Sequence, residues 1–390
     1  MSRDLILITL SLMTWGLGEG MFYFFQPLYL QELGADPLKI GTILGLVGLA
    51  TTLSYLPAGY LSDRIGRRPL ICLAWIIGAA STGLMALANS LPLFVLGMVL
   101  YGTTSFVTVP LNCYTTSARG KWSTGRTITL ISASFSFGFI LGPLIGGWIG
   151  ENRGLHANFS IAAAIFVVSS AIILFIRPQP VEKDLPEDKL GAFKALFNER
   201  YIRYLLLAFF TMFGLYLPQP LTPNFLQNVR GINLIVMGEL ISMRSVGIVI
   251  LNLLLGHLNA RLGYLLTQVC MALFTALIWL GHGLPAYMLG YLLMGGYVTA
   301  RGLVIAQGRT LVQASNMGVA YGSLETIMSL SIVLGPPLAG ILYSIDPSWI
   351  YVTSLVLIAA GLVANLRLSP LNSKDLIKFE EREKAQWTQS

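Results

Sequence analysis

The chain has 390 residues, 55% of them hydrophobic and only 11% charged. That is about half the charged share of a soluble domain, which excludes a water-soluble globule and calls for an integral membrane protein. The formal net charge of +7 follows from basic loops on one face of the membrane and needs no nucleic-acid partner.

Apolar segments long enough to cross about 30 Å of hydrocarbon as helices fall at roughly 5–30, 40–62, 69–88, 93–113, 127–149 and 157–176. A second set follows at roughly 204–226, 235–258, 264–283, 286–307, 319–343 and 349–368. The expectation is an all-α membrane protein of twelve transmembrane helices in two pseudo-symmetric six-helix bundles, 1–176 and 204–368, with a linker at 177–203 and a tail at 369–390. Barrel strands would alternate apolar and polar residues instead, and no such alternation is present. If the N-terminus is cytoplasmic, the inner loops hold most of the arginines and lysines and the outer loops only Lys39, Arg153 and Arg230. The positive-inside rule then puts both termini in the cytoplasm, in the cell (inner) membrane.

In chain order, the first span stacks Trp15, Glu19, Phe22, Tyr23 and Gln26 at spacings of three and four, which places them on one helical face. Between the second and third spans, Gly59-Tyr60-Leu61-Ser62-Asp63-Arg64-Ile65-Gly66-Arg67-Arg68 packs an acid, three arginines and two glycines into a tight link. The fourth span carries Thr104, Thr108 and Asn112 on one face, and the fifth contains the small-residue run from Gly138 to Gly147 around Pro143. Such a run lets helices approach closely, and its proline loosens the backbone ladder so that the helix can bend. The linker holds Pro178, Pro180 and Pro186. Its last part, 189–203, reads either as a helix on the inner membrane surface or as plain solvated chain, and the stretch 374–387 is read likewise. Phe209, Phe213, Tyr216 and Gln219 repeat the aromatic face in the seventh span. Arg244 lies inside the eighth, Tyr297 and Arg301 in the tenth, and Tyr321, Glu325 and Ser329 in the eleventh.

The two halves are copies. Gly41 aligns with Gly238 and Gly59 with Gly256 at a shift of 197 residues; Gln26-Pro27-Leu28 meets Gln219-Pro220-Leu221, and Leu141-Gly142-Pro143 meets Leu334-Gly335-Pro336, at a shift of 193. The charged link recurs, worn, as Gly256 to Gly263. Such duplication encloses a site between symmetry-related helices.

The run from Gly59 to Arg68 resembles the loop signature of the major facilitator superfamily, and span count, central loop and duplication extend the resemblance over nearly the whole chain. The resemblance implies that Asp63 and Arg67 contact the cytoplasmic ends of neighbouring helices and hold the inner gate shut, with Gly59 and Gly66 permitting close packing and the turn. Arg64 and Arg68 complete the motif; charges that only fix topology are the alternative. Gly138, Gly142, Pro143, Gly146 and Gly147 resemble the glycine-proline signature of the superfamily's drug and metabolite exporters, which implies export. Generic small-residue packing is the alternative, and Thr129 stands where that signature has a further glycine. The exporters' arginine and glutamine in the fourth span are absent, since Met98-Val99-Leu100-Tyr101-Gly102 keeps only the glycine. In the superfamily arrangement helices one, four, seven and ten line the central cavity, and the embedded charges avoid the outer set.

A charge at a helix centre costs about 2.5 to 3.5 kcal/mol, so Glu19, Arg244, Arg301 and Glu325 must face protein or water. Similar depth on adjacent helices pairs Arg301 with Glu325, as a structural bridge or a switch. Glu19 and Arg244 lie nearer mid-membrane, where Glu19 either carries a proton, since low dielectric favours the neutral acid, or is permanently paired with Arg244 or Arg301. Glu19, Tyr23, Gln26, Thr108, Asn112, Tyr216, Gln219, Arg244, Tyr297, Arg301 and Glu325 are therefore the candidate substrate and proton pathway. The functional expectation is a monomeric secondary transporter working by alternating access. Its partners would be the lipid bilayer around it and a small amphiphilic or hydrophobic organic solute that it exports, with protons as the coupling ion. Same-fold uptake by symport or facilitation, a lipid flippase or scramblase, and a non-transporting receptor are the alternatives. Cys72, Cys113 and Cys270 have no paired spacing, no nucleotide-binding loop appears and no nucleophile-base set is visible, so no metal, cofactor or enzymatic activity is expected.

Overall fold

The computed structural model describes residues 2–120, 122–179, 199–308, 311 and 317–368. The elements formed by the described residues are all helices, with α1 at Arg3–Glu32, α2 at Pro37–Ile65, α3 at Arg67–Leu87, α4 at Leu91–Ser117, α5 at Thr124–Arg153 and α6 at Leu155–Ile173. The second set is α7 in two segments, Glu199–Tyr216 and Thr222–Asn228, then α8 at Leu234–Gly256, α9 at Ala260–Leu280, α10 at Leu284–Gly308, α11 at Met317–Ile345 and α12 at Trp349–Leu368. Eleven of these are long and apolar enough to cross a membrane. The twelfth, α7, carries Glu199, Arg200 and Arg203 in its opening turns and is interrupted at 217–221, so its uncharged stretch is not one unbroken helix.

The last residues of the linker expected at 177–203 are helical from Glu199 onward, the first described residue there, with an exposed Arg203–Glu199 ion pair one turn apart. The rest of the expected surface helix and the tail at 369–390 lie outside the described residues. Four helices are irregular inside their length. A 3₁₀ turn at Tyr23–Phe25 interrupts α1 just before Pro27, another at Thr104–Val107 interrupts α4, α7 breaks at 217–221, and α10 breaks at Gly295. Broken helices in a membrane bundle are tolerated where the freed backbone groups are buried in protein or face a cavity.

Gly66 alone links α2 to α3, at φ 87° and ψ 164°, a conformation that admits essentially only glycine. Gly154 makes the same one-residue link between α5 and α6 at φ 82°. Both hairpins are thereby fixed by a residue with no Cβ.

Packing divides the chain into two compact units that do not coincide with the sequence halves. The first takes the described residues of Met1–Leu185, Gln219–Val246 and Ile332–Pro347; the second takes those of Pro186–Pro218, Gly247–Ser331 and Ser348–Ser390. The first unit reaches into the second half through two helix crossings that obey the sequence repeat. A Cβ on Gly41 of α2 would lie 2.2 Å from the Pro336 carbonyl oxygen of α11, and one on Gly238 of α8 would lie 2.3 Å from the Pro143 carbonyl oxygen of α5. One turn on, a Cβ on Gly340 would lie 2.5 Å from the Pro37 carbonyl oxygen and one on Gly147 would lie 2.4 Å from that of Leu234. Duplication has thus preserved backbone-to-backbone contact at equivalent places, where any side chain would force the helices apart.

Gly41→Leu and Gly238→Leu are expected to destabilise detergent-purified protein to similar extents, by about 1 to 3 kcal/mol from overpacking. Gly83→Ala in α3, where a Cβ meets nothing within 4 Å, should be neutral or gain up to about 1 kcal/mol of helix propensity. Thermal melts compare the three, and equal melting of all three variants would rule out these crossings as tight contacts.

Candidate functional site

The site is organised by three faces of α1. Gly16 and Gly20 turn toward α5, where a Cβ would meet the Phe135 carbonyl oxygen at 2.3 Å and Pro143 Cδ at 2.9 Å. From the other side, Cβ atoms on Gly138, Gly142 and Gly146 would meet the carbonyl oxygens of Met13, Leu17 and Met21 at 2.1, 2.5 and 2.3 Å. Gly18 faces α6, where a Cβ would meet the Phe166 ring at 3.0 Å. With two faces occupied by backbone contact, the third, bearing Leu12, Trp15 and Glu19, opens on a cavity of about 230 Å³.

The cavity is closed by Trp75 of α3, Phe135 of α5 and a strip of α4 from Tyr101 through Thr104, Thr108 and Leu111 to Asn112. Glu19 is the single charged residue among the described residues that line it. The Tyr101 hydroxyl and the Trp15 indole N–H lie within hydrogen-bonding reach of its carboxylate. The Trp15 and Tyr101 rings are near parallel with centroids 6.2 Å apart, and Trp15 leans on Trp75 at 4.8 Å. Trp75 is held by its own N–H, which donates to Ser169 Oγ at 3.0 Å, while the Ser169 hydroxyl donates to the Ser11 carbonyl at 2.7 Å. Thr104 and Thr108 donate to the carbonyls of Tyr101 and Ser105 at 2.7 and 3.0 Å, satisfying acceptors around the 3₁₀ turn that shapes this wall.

The expected pathway residues divide. Glu19, Thr108 and Asn112 meet in the cavity. Tyr23 is 41% accessible, whereas Gln26 and Gln219 are buried. The Arg244 guanidinium sits over the Phe24 ring at 4.9 Å, a cation–π contact. In the second unit, Tyr216 and Tyr297 pack ring to ring at 5.5 Å, and Arg301 Nη2 donates to Glu325 Oε2 at 2.5 Å. Tyr101, Trp75 and Phe135 were not among the expected pathway residues. Tyr101 lies three residues before Thr104 and seven before Thr108, so the helical spacing of the polar stripe already included it; Trp75 and Phe135 carry no such signal.

Of the charged link, Gly59 and Asp63 fall where only the helix course of α2 is described, and Arg64 is exposed. Arg67 donates to Ser117 Oγ at 2.7 Å near the end of α4, and Arg68 donates to the Ile176 and Leu174 carbonyls at 2.7 and 3.1 Å just past α6. Those carbonyls have no helical donor ahead of them, so Arg68 acts as a C-terminal cap. Asp36 does the converse at the start of α2. It accepts from the Lys39 backbone N–H at 2.8 Å, which with the Lys39 ammonium holds its carboxyl below the usual range.

Two substitutions test this geometry. A Cβ on Gly78 would lie 2.1 Å from Trp15 Cη2, so Gly78→Ala should displace the indole, shift tryptophan fluorescence and cost about 1 to 3 kcal/mol. Unchanged emission would contradict the placement of Trp15. For the ion pair, Arg301→Leu or Glu325→Leu alone should lower stability by on the order of 1 to 3 kcal/mol, less than the 3 to 5 of a fully buried pair because Glu325 is 46% accessible. The double variant should recover most of that loss in a melting cycle, and additive losses would mean that the charges act separately.

A model of the Major Facilitator Superfamily matches residues 8–312 and 204–389. The chain belongs to this superfamily of transporters and is a multi-pass integral membrane protein. Curated relatives include the inner membrane transport protein YajR of Escherichia coli K12, 30% identical over 42% of this chain and 38% of that one. The class B tetracycline resistance protein of Escherichia coli is 33% identical over 41% of this chain and 40% of its own length. Multidrug resistance protein 1 of Bacillus subtilis is 23% identical over 90% of this chain and 92% of that one. The chain spans about two fifths to a half of the length of the first curated relatives it matches. Among solved structures, the nucleoside transporter NupG superposes with a TM-score of 0.79 at 15% identity, covering 94% of this chain and 98% of the other. A bacterial homologue of the lysosomal transporter Spinster gives a TM-score of 0.69 at 16% identity over 93% of each chain. Both likenesses establish the fold.

Proposed function

We propose that the chain is a secondary active exporter, in which a small amphiphilic organic solute leaves the cell in exchange for protons and both termini face the cytoplasm. The observation that carries this reading is Glu19, a membrane-embedded carboxylate facing an aromatic-walled cavity with no basic side chain among the described lining residues. An acid in that position must be neutralised before it is sealed from water, because an uncompensated charge in low dielectric costs several kcal/mol. A proton supplies that neutrality, and its release to water recharges the site. The names of relatives such as the tetracycline and multidrug resistance proteins support export over uptake. The glycine run of α5 fits the same reading by seating α1. Alternating access then follows from rearrangement around the four internally broken helices.

The test is flux in proteoliposomes with an imposed pH gradient, using fluorescent amphiphiles of positive, neutral and negative charge. A gradient should accelerate wild-type flux of at least one class tenfold or more, in the direction opposite to proton flow, and Glu19→Gln should lose that acceleration. Flux indifferent to both gradient and substitution removes the proton role of Glu19. Flux in the same direction as the protons would replace export with uptake.

A further inference from the structure

From the walls of the Glu19 cavity we infer the substrate class: the pocket receives the cationic headgroup of an organic ammonium compound. The inference rests on the proposal that this cavity is the transport site. Glu19 supplies one negative charge, and Trp15, Trp75, Tyr101 and Phe135 supply ring surface around it. Aromatic faces are negative in quadrupole and attract a cation within about 6 Å of the ring centroid. With the Trp15 and Tyr101 centroids 6.2 Å apart and both side chains within reach of the carboxylate, a cation held at Glu19 sits beside aromatic side chains, with the rings of Trp75 and Phe135 lining the same cavity.

Other classes fit worse. An anion would meet the carboxylate and no basic lining residue, while a neutral solute would leave that charge uncompensated. A bare metal cation needs six or more oxygen ligands in place of its water, and carbon walls do not provide them. A quaternary or protonated ammonium is weakly hydrated, carries its charge behind methyl or methylene groups, and suits apolar walls with one acid. The volume of about 230 Å³ lies below the roughly 300 to 1,000 Å³ of pockets for drug-sized ligands, so the pocket holds a headgroup and not a whole polycyclic body. Asn112 and Thr108 at its α4 side offer hydrogen bonds to a polar substituent. Tyr101 is the other titratable residue of the lining; α3 and α5 present only Trp75 and Phe135.

The experiment titrates the full chain, purified in maltoside micelles, with choline and with 3,3-dimethylbutan-1-ol, the uncharged isostere in which carbon replaces nitrogen. Tryptophan fluorescence reports binding, since Trp15 and Trp75 line the site. Choline should bind at least tenfold more tightly than the alcohol to the wild type. Glu19→Gln should weaken choline tenfold or more while leaving the alcohol within twofold, and Tyr101→Phe, which keeps the ring face, should cost less than threefold. Equal binding of the two probes, absence of choline binding, or full choline affinity in Glu19→Gln would each overturn the assignment. If Glu19→Gln does not fold, the comparison of the two probes on the wild type decides. Binding is read without a pH gradient, so gradient-insensitive flux would remove proton exchange and not this headgroup assignment.

Discussion

The backbone contact between α1 and α5 is the constraint on which the site depends. Five glycines, two on α1 and three on α5, bring main chain against main chain, and each would place a Cβ within 3 Å of a neighbouring atom. No rotation of α1 about its axis preserves those contacts. Glu19, flanked by Gly18 and Gly20, is therefore aimed by the seating of its helix, and the Tyr101 hydroxyl and Trp15 N–H meet its carboxylate where that seating puts it. The energetic burden of this acid inside the membrane is accepted at a place where helix orientation is tightly fixed.

The sequence repeat sharpens this point through its departures. At the shift of 193 that aligns Gln26 with Gln219, Gly16 and Gly20 correspond to Phe209 and Phe213, Trp15 to Ala208 and Glu19 to Met212. Phe209 and Phe213 pack with each other at 5.7 Å, and Ala208 and Met212 are buried. The second copy has thus exchanged the glycine seat and the acid for ordinary apolar packing. The crossings of α2 with α11 and α5 with α8 kept their glycines in both copies. Duplication was retained where helices must touch and abandoned where one chemical group is needed.

Much of the fold was legible because hydropathy alone locates the spans, and the superfamily resemblance needed only the charged link and the repeat. The internal breaks were less legible, although Pro27, Pro218 and Pro220 stand beside two of them, because an apolar run hides a helix interruption that costs it no hydrophobicity. For the site, Glu19, Thr108 and Asn112 could be read from cost and spacing. Trp75 and Phe135 could not, since an aromatic residue in an apolar helix looks the same whether it packs or lines a cavity. Arg67 and Arg68 illustrate a different limit. Their charge was visible and the resemblance pointed Arg67 at a neighbouring helix end, as in its bond to Ser117 of α4, but the use of Arg68 past α6 depends on which carbonyls the fold leaves without donors.

The distribution of charge also bears on how coupling could work without the arginine of the exporter signature. Arg301 and Glu325 neutralise each other in the second unit, so that pair can be sealed from water unchanged. Glu19 cannot be sealed bare. On the proposed reading it closes with a proton or with an organic cation, each of which makes the site neutral. It does not close with both, which would leave a net positive charge in low dielectric, nor with neither, which would leave a net negative one. Two mutually exclusive neutral states, each able to cross the conformational change, are sufficient for exchange. On that reading a single carboxylate in an aromatic cavity is enough for antiport, and the remaining residues of the site would set which cation competes with the proton.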